Sequence, residues 1–138
     1  METRMVFVCF IDTLHGGGVE RICLDQAATL SSQGHLVLLI PFDANVRMPI
    51  PDRCLLVKGY NFYRPAAKEV QRLLEHYHCP ADEVVFLFHM RRSTSYLAKN
   101  ISFFFEFGVS CCLFLHSNIS YSYCFFVESN YRKLAFSS

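Results

Sequence analysis

Several things are missing from this sequence, and each absence removes a class of protein. There is no tryptophan and no excess of one charge: thirteen Lys and Arg stand against twelve Asp and Glu, for a net charge of +1. That balance excludes a global basic field of the kind that steers nucleic acid, so no nucleic-acid partner is expected. The seven cysteines form no CxxC pair, and several lie in apolar runs, where a reduced thiol acts as a small hydrophobe. Reduced thiols in a cytoplasmic protein are expected. No secretion signal is expected, because the apolar run after Met1–Arg4 is short and stops at Asp12. The longest apolar stretch, Ile101 to His116, is interrupted by Glu106 and divided by Gly108, which predicts a helix and a strand rather than a membrane span.

What is present is a chain of 138 residues, enough for one domain with a real core, that is 52% hydrophobic and 15% aromatic. That is apolar for a free-standing domain. A partner chain covering the apolar carboxyl-terminal part is expected, with Phe103, Phe104, Phe105, Phe107, Phe125 and Phe126 supplying the exposed surface. Continuous apolar runs at 5–11, 36–40, 84–88 and 109–115, with a weaker one at 54–57, predict strands buried on both faces, the signature of a parallel sheet. Between them the spacing predicts helices. The first runs over 19–32 with Val19, Ile22, Cys23, Ala27 and Leu30 inward and Gly34 closing it. The second begins at Pro65 with Ala66, Val70, Leu73, Leu74 and Tyr77 on one face, and the third is capped by Ser93 and runs towards Phe107. Beyond about residue 117 the pattern weakens, and only 128–136 reads as a short helix. The fold class is therefore α/β: a Rossmann-like parallel sheet with helices on both faces.

The sharpest local feature is His15-Gly16-Gly17-Gly18-Val19-Glu20-Arg21, between the first strand and the first helix. A glycine loop lets backbone approach a ligand, and the helix behind it offers N–H groups and a positive dipole end to an anion. A tight turn without a ligand explains the glycines equally well. The loop is neither a dinucleotide fingerprint, which would need glycine where Glu20 or Arg21 stands, nor a P-loop, which would need Gly-Lys-Ser/Thr. An oxidoreductase of the NAD type is disfavoured for the same reason.

The longer string from Phe7 to Arg21, continuing through Leu24-Asp25-Gln26-Ala27 to Gly34-His35-Leu36-Val37, resembles the amino-terminal signature of glycosyltransferase family 4: strand, Gly-Gly loop, Glu-Arg pair, Ala/Leu-rich helix and Gly-His turn. The resemblance is clearest over about residues 5–40 and looser over 72–98. It implies the amino-terminal, acceptor-side domain of a retaining GT-B enzyme, occupying 1–138, with the donor-binding domain and its Glu-x7-Glu element lying outside this chain. The family transfers a hexose from a UDP- or GDP-linked nucleotide sugar to a saccharide or glycolipid, as in polysaccharide or lipopolysaccharide synthesis, with no cofactor beyond the donor. By that likeness Gly16, Gly17 and Gly18 face the donor diphosphate, His116 lies near the transferred sugar as the catalytic candidate, and His89 and Arg91 lie on the acceptor side. Location in the cytoplasm, at the inner face of a membrane with peripheral association, follows from the same likeness.

Without the family, a strand-end histidine such as His89 or His116 is more often structural, although ligands of open α/β sheets do bind at the carboxyl ends of strands. Arg91-Arg92-Ser93-Thr94 suits a phosphorylated or acidic group, against the commoner reading of a solvated pair beside a helix cap. His15, His35, His76 and His78 read as loop or solvent-facing residues, Asp12 as a strand-end acid bonding loop N–H groups, and no His and carboxylate spacing suggests a metal site. The chain by itself is expected to be inactive. The competing expectation is a non-catalytic Rossmann-like module that pairs with another chain.

Overall fold

Runs of Val, Leu, Ile and Phe with no polar alternation can only be strands if both faces are covered, and the structure covers them. The computed structural model describes residues 5–58, 66–80, 83–106, 110–116, 122–128 and 133–137. In chain order the elements are β1 (Val6–Ile11), α1 (Gly18–Ser32), β2 (Leu36–Pro41), β3 (Cys54–Leu56), α2 (Ala66–His76), β4 (Val84–His89), α3 (Met90–Lys99), α4 (Ile101–Glu106), β5 (Ser110–His116), β6 (Ser122–Glu128) and β7 (Lys133–Ser137).

They form a sheet of order β3-β2-β1-β4-β5-β6-β7. From β3 to β5 every pairing is parallel, with Val6 opposite both Leu36 and Val84 and Ile11 opposite both Pro41 and His89. The flanking helices make this a Rossmann-like α/β domain. The chain leaves β1 towards β2 on one side and returns from β3 to β4 on the other, so the strand order reverses at the β1/β4 boundary. Crevices at such switch points open at the carboxyl ends of the strands.

Each face of the sheet has its own core. On one, Cys9, Ile11, Val37, Leu39 and Leu87 meet Cys23, Leu24 and Ala27 of α1. On the other, Val8, Phe10, Leu38, Phe86 and Phe88 meet Val70, Leu73 and Leu74 of α2, Tyr96 and Leu97 of α3, and Phe104 of α4. Phe10 stacks on Phe88 at 5.1 Å, and Phe104 stands edge-on to Phe86 at 4.8 Å.

Several sequence expectations are corrected. Phe104 is fully buried in that aromatic core and supplies no exposed surface, while Phe103 is partly buried against it; the side chains of Phe105, Phe107, Phe125 and Phe126 lie outside what is described. The inward stripe of α1 is Glu20, Cys23, Leu24, Ala27 and Ser31, and Ile22 is 48% exposed. Glu20 is drawn in by the loop before it, which turns the neighbouring Ile22 outward. Ser93 does not cap α3: the helix begins three residues earlier, with His89 at the N-cap, and ends at Asn100 before α4. The described residues of segment 128–136 are strand rather than helix: Glu128 ends β6 and pairs with Lys133 of β7, and β6 pairs antiparallel with β5 from Ser110–Glu128 to His116–Ser122. Pairing with the neighbouring strands overrides a weak local preference there. Among the described residues no helix is long and apolar enough to cross a membrane.

Candidate functional site

At the carboxyl edge of the sheet two strand-to-helix junctions lie side by side, and each presents helix N–H groups that need an acceptor. At the first, β1 passes through 12–17 into α1. Gly16 adopts φ +124, a conformation that L side chains rarely reach, and a Cβ on Gly17 would lie 2.5 Å from Glu20 Oε1. Gly16 is therefore required by the backbone of the loop, whereas a Cβ on Gly17 would displace the Glu20 carboxylate. A Cβ on Gly18 would meet nothing within 4 Å.

The carboxylate that crowds Gly17 also fills the loop. Glu20 Oε1 accepts from Gly17 N at 3.0 Å, while Oε2 accepts from Gly16 N at 3.3 Å, from Thr13 Oγ1 at 3.0 Å and from His15 N. Burial alone would raise the Glu20 carboxyl, but donation from His15 N, Thr13 and the two glycine N–H groups outweighs it and holds the pKa below its usual value. Gly18 and Val19, in the first turn of α1, remain as the N–H groups of a helix start that have no intrahelical acceptor.

At the second junction there is no loop. His89 ends β4 and Met90 starts α3 at φ +73, an uncommon conformation for a non-glycine residue. The α3 N–H groups are satisfied from across the sheet: Asp12 Oδ2 accepts from Arg92 N at 2.8 Å, and Oδ1 accepts from Ser93 N at 2.8 Å and Ser93 Oγ at 3.0 Å. Ser93 Oγ also contacts the His89 carbonyl, and Thr94 Oγ1 donates to the Met90 carbonyl at 2.6 Å. Asp12 therefore bonds N–H groups as expected, but those of α3 rather than of its own loop.

The connection after β2 closes the edge. Asp43 N donates to the Asp12 carbonyl and Arg47 N to the Leu14 carbonyl, at 3.0 and 2.8 Å. His15 Nε2 lies 3.3 Å from Asp43 Oδ2, so His15 joins two loops rather than standing free. His35 is likewise half-buried and structural: its Nδ1 accepts from Met5 N at 3.0 Å, and its ring meets Phe7 edge-on. His76 and His78 are exposed, as expected.

The residues singled out from sequence thus collect at one edge by backbone position. Gly16, Gly17 and Gly18 follow β1, His89 ends β4, Arg91 lies exposed two residues later, and His116 ends β5 beside it. His89 is fully buried, so it supports the edge from beneath rather than lining open surface. Sequence reasoning did not assign Glu20 as the acceptor that fills the loop, although its place three residues after Gly17 is capping-box spacing. It also did not find the groove of about 370 Å³ along α1, rimmed by Arg21, Asp25 and Asp52, which lies apart from these groups. Among the described residues no cluster of His, Cys, Asp and Glu could hold a metal ion. Burial raises the thiols of Cys9 and Cys23, the latter to about 12, so both behave as hydrophobes. The edge therefore defines a Rossmann-like domain with a polar switch point. The chain matches no family model, no curated protein and no solved structure.

Proposed function

We propose that this chain is the acceptor-side domain of a GT-B glycosyltransferase, acting in the cytoplasm or at the inner face of a membrane. With a donor-binding domain it transfers a hexose from a UDP- or GDP-sugar to a saccharide or glycolipid, and alone it is inactive. The observation that carries this reading is the position of the Gly16–Gly18 loop: it leaves β1 at the switch point of a parallel sheet, the place where open α/β folds receive ligands. The motif that resembles glycosyltransferase family 4 coincides with β1, α1 and the start of β2.

In this reading the donor diphosphate meets the loop at Gly18 and Val19, because the N–H groups of Gly16 and Gly17 already serve Glu20. His116 stands near the sugar, and Arg91 faces the acceptor side with the buried His89 beneath it. The contact is weak by itself. A helix N-terminus contributes about 0.3–1 kcal/mol to an exposed anion, whereas micromolar binding requires about 8 kcal/mol.

Titration of the glycine-15N-labelled chain with UDP-glucose and GDP-mannose tests the reading. Shifts of the Gly16, Gly17 and Gly18 amides that saturate only at millimolar donor are expected, with no nucleotide release. Unmoved glycine amides at any donor concentration refute the donor contact, and turnover by the chain alone refutes the need for a second domain.

A further inference from the structure

The whole chain is close to neutral, but its carboxyl edge is not, once committed groups are set aside. Asp12 is buried and spends both oxygens on α3. Glu20 is buried and spends both on the glycine loop. Asp43 holds His15 Nε2 at 3.3 Å and accepts from Asn45 N at 2.9 Å. The acids of this edge therefore face inward or are paired.

The guanidinium groups do the opposite. Arg47, Arg91 and Arg92 are exposed, and none has a carboxylate partner among the described residues. With its side-chain amide turned to satisfy both groups, Asn45 offers Arg47 a neutral oxygen at 3.1 and 3.2 Å. Arg92 lies with its guanidinium carbon 5.4 Å from the centre of the Phe42 ring. Phe42 follows β2 and Arg92 follows β4, with β1 between them, so the Arg92 side chain reaches over the end of β1 towards the loop that carries Arg47. Ring contact orients the cation without neutralising it. The strained Met90 lets α3 start directly at the end of β4, which puts Arg91 and Arg92 at this edge instead of a turn farther out.

We infer that the carboxyl edge binds a phosphate or pyrophosphate ester carried by the acceptor, with Arg91 and Arg92 as its ligands and Arg47 completing the positive field. A planar guanidinium matches two phosphate oxygens at once, and adjacent guanidinium groups suit a dianion better than a single carboxylate. The inference rests on the transferase reading only for assigning the ester to an acceptor; the anion site stands on the charges.

The test uses the full chain at low ionic strength, where exposed charges are least screened. Inorganic pyrophosphate is titrated and followed by the amides of residues 90–94, and co-sedimentation is measured with phosphatidylcholine vesicles with and without phosphatidylglycerol. Arg91→Ala combined with Arg92→Ala should weaken binding at least tenfold. Lysine at both positions should restore part of it, and Arg72→Ala on α2 should change nothing. Binding confined to vesicles containing phosphatidylglycerol assigns a lipid headgroup, and binding of pyrophosphate alone assigns a free ester. Wild-type affinity in the alanine pair, or no binding of either probe by the wild type, overturns the inference. The Gly16–Gly18 amides are read in the same samples with UDP-glucose, so a failed arginine site leaves the donor reading standing or falling on its own signal.

Discussion

The two junctions at the carboxyl edge solve one problem in opposite ways. Each must satisfy the N–H groups at the start of a buried helix, and each uses a carboxylate of the chain itself. At β1–α1 the acid is local: Glu20 folds back three to five residues onto Gly17, Gly16 and His15, and the loop needs glycine to let it in. At β4–α3 the acid is remote: Asp12 reaches Arg92 and Ser93, 80 and 81 positions away, and no glycine is used. The local device can form as soon as its own turn does. The remote one exists only after β1 and β4 have paired, so it reports on the sheet as a whole.

That difference sets the largest expected effect. Asp12→Ala removes the carboxylate that accepts from Arg92 N and Ser93 N and should cost about 3 kcal/mol, since leaving a buried donor unsatisfied costs about 1–3 kcal/mol each. Asp12→Asn keeps one acceptor oxygen and should cost about half as much. Urea unfolding followed by far-UV circular dichroism measures both. A loss below about 0.5 kcal/mol for the alanine variant would mean that α3 finds its acceptors elsewhere and that the two junctions are not equivalent in kind.

Glu20 should matter less, and its effect should depend on pH. Its carboxyl is held below the usual 4.5, so the charged form is favoured by folding. The stability it adds is fully present above that usual value and is lost as pH falls through the lower folded pKa. Glu20→Gln should cost about 1 kcal/mol at neutral pH, in keeping with the net worth of a hydrogen bond. It should also flatten the part of the acid limb of the unfolding midpoint that Glu20 supplies. Parallel acid limbs in wild type and variant would show that the loop holds Glu20 no more tightly in its charged form than in its neutral one.

The contrast also explains what could be read in the sequence. The strands β1, β2, β4 and β5 declare themselves because residues such as Phe10, Leu38 and Phe86 leave no polar face, and α2 because Val70, Leu73 and Leu74 recur at helical spacing. Gly34, at φ +93, closes α1 where a helix end is expected. Local relations of this kind travel with the string. The Asp12–Ser93 bond does not, because nothing within a few residues of either partner announces it, and so Ser93 reads as a cap when it is a donor to one. The β6–β7 pairing is hidden for a different reason: the segments are short and weakly patterned, and they take their form from the strands they pair with. Among candidate site residues the glycines and strand-end histidines were legible by position, whereas the inward turn of the acids, which leaves the arginines uncompensated, needed the fold.

The smallest effect separates structure from ligand at the glycine loop. Gly16 is fixed by its backbone conformation, and a Cβ on Gly17 would push the Glu20 carboxylate aside, so a change at either disturbs the loop whatever it binds. Gly18 is different, because an added Cβ meets nothing within 4 Å and the residue begins α1 with no positive φ. Gly18→Ala should therefore leave stability unchanged or raise it by up to about 0.5–1 kcal/mol, the usual gain of alanine over glycine in a helix. If a diphosphate approaches the first turn of α1, the same methyl stands in its path, and the response of the Gly16 and Gly17 amides to UDP-glucose should drop severalfold at undiminished stability. An unchanged response would place any donor contact away from Gly18, and the loop would then be a turn built around Glu20, a counterpart in function as well as in chemistry to the cap that Asp12 provides next door.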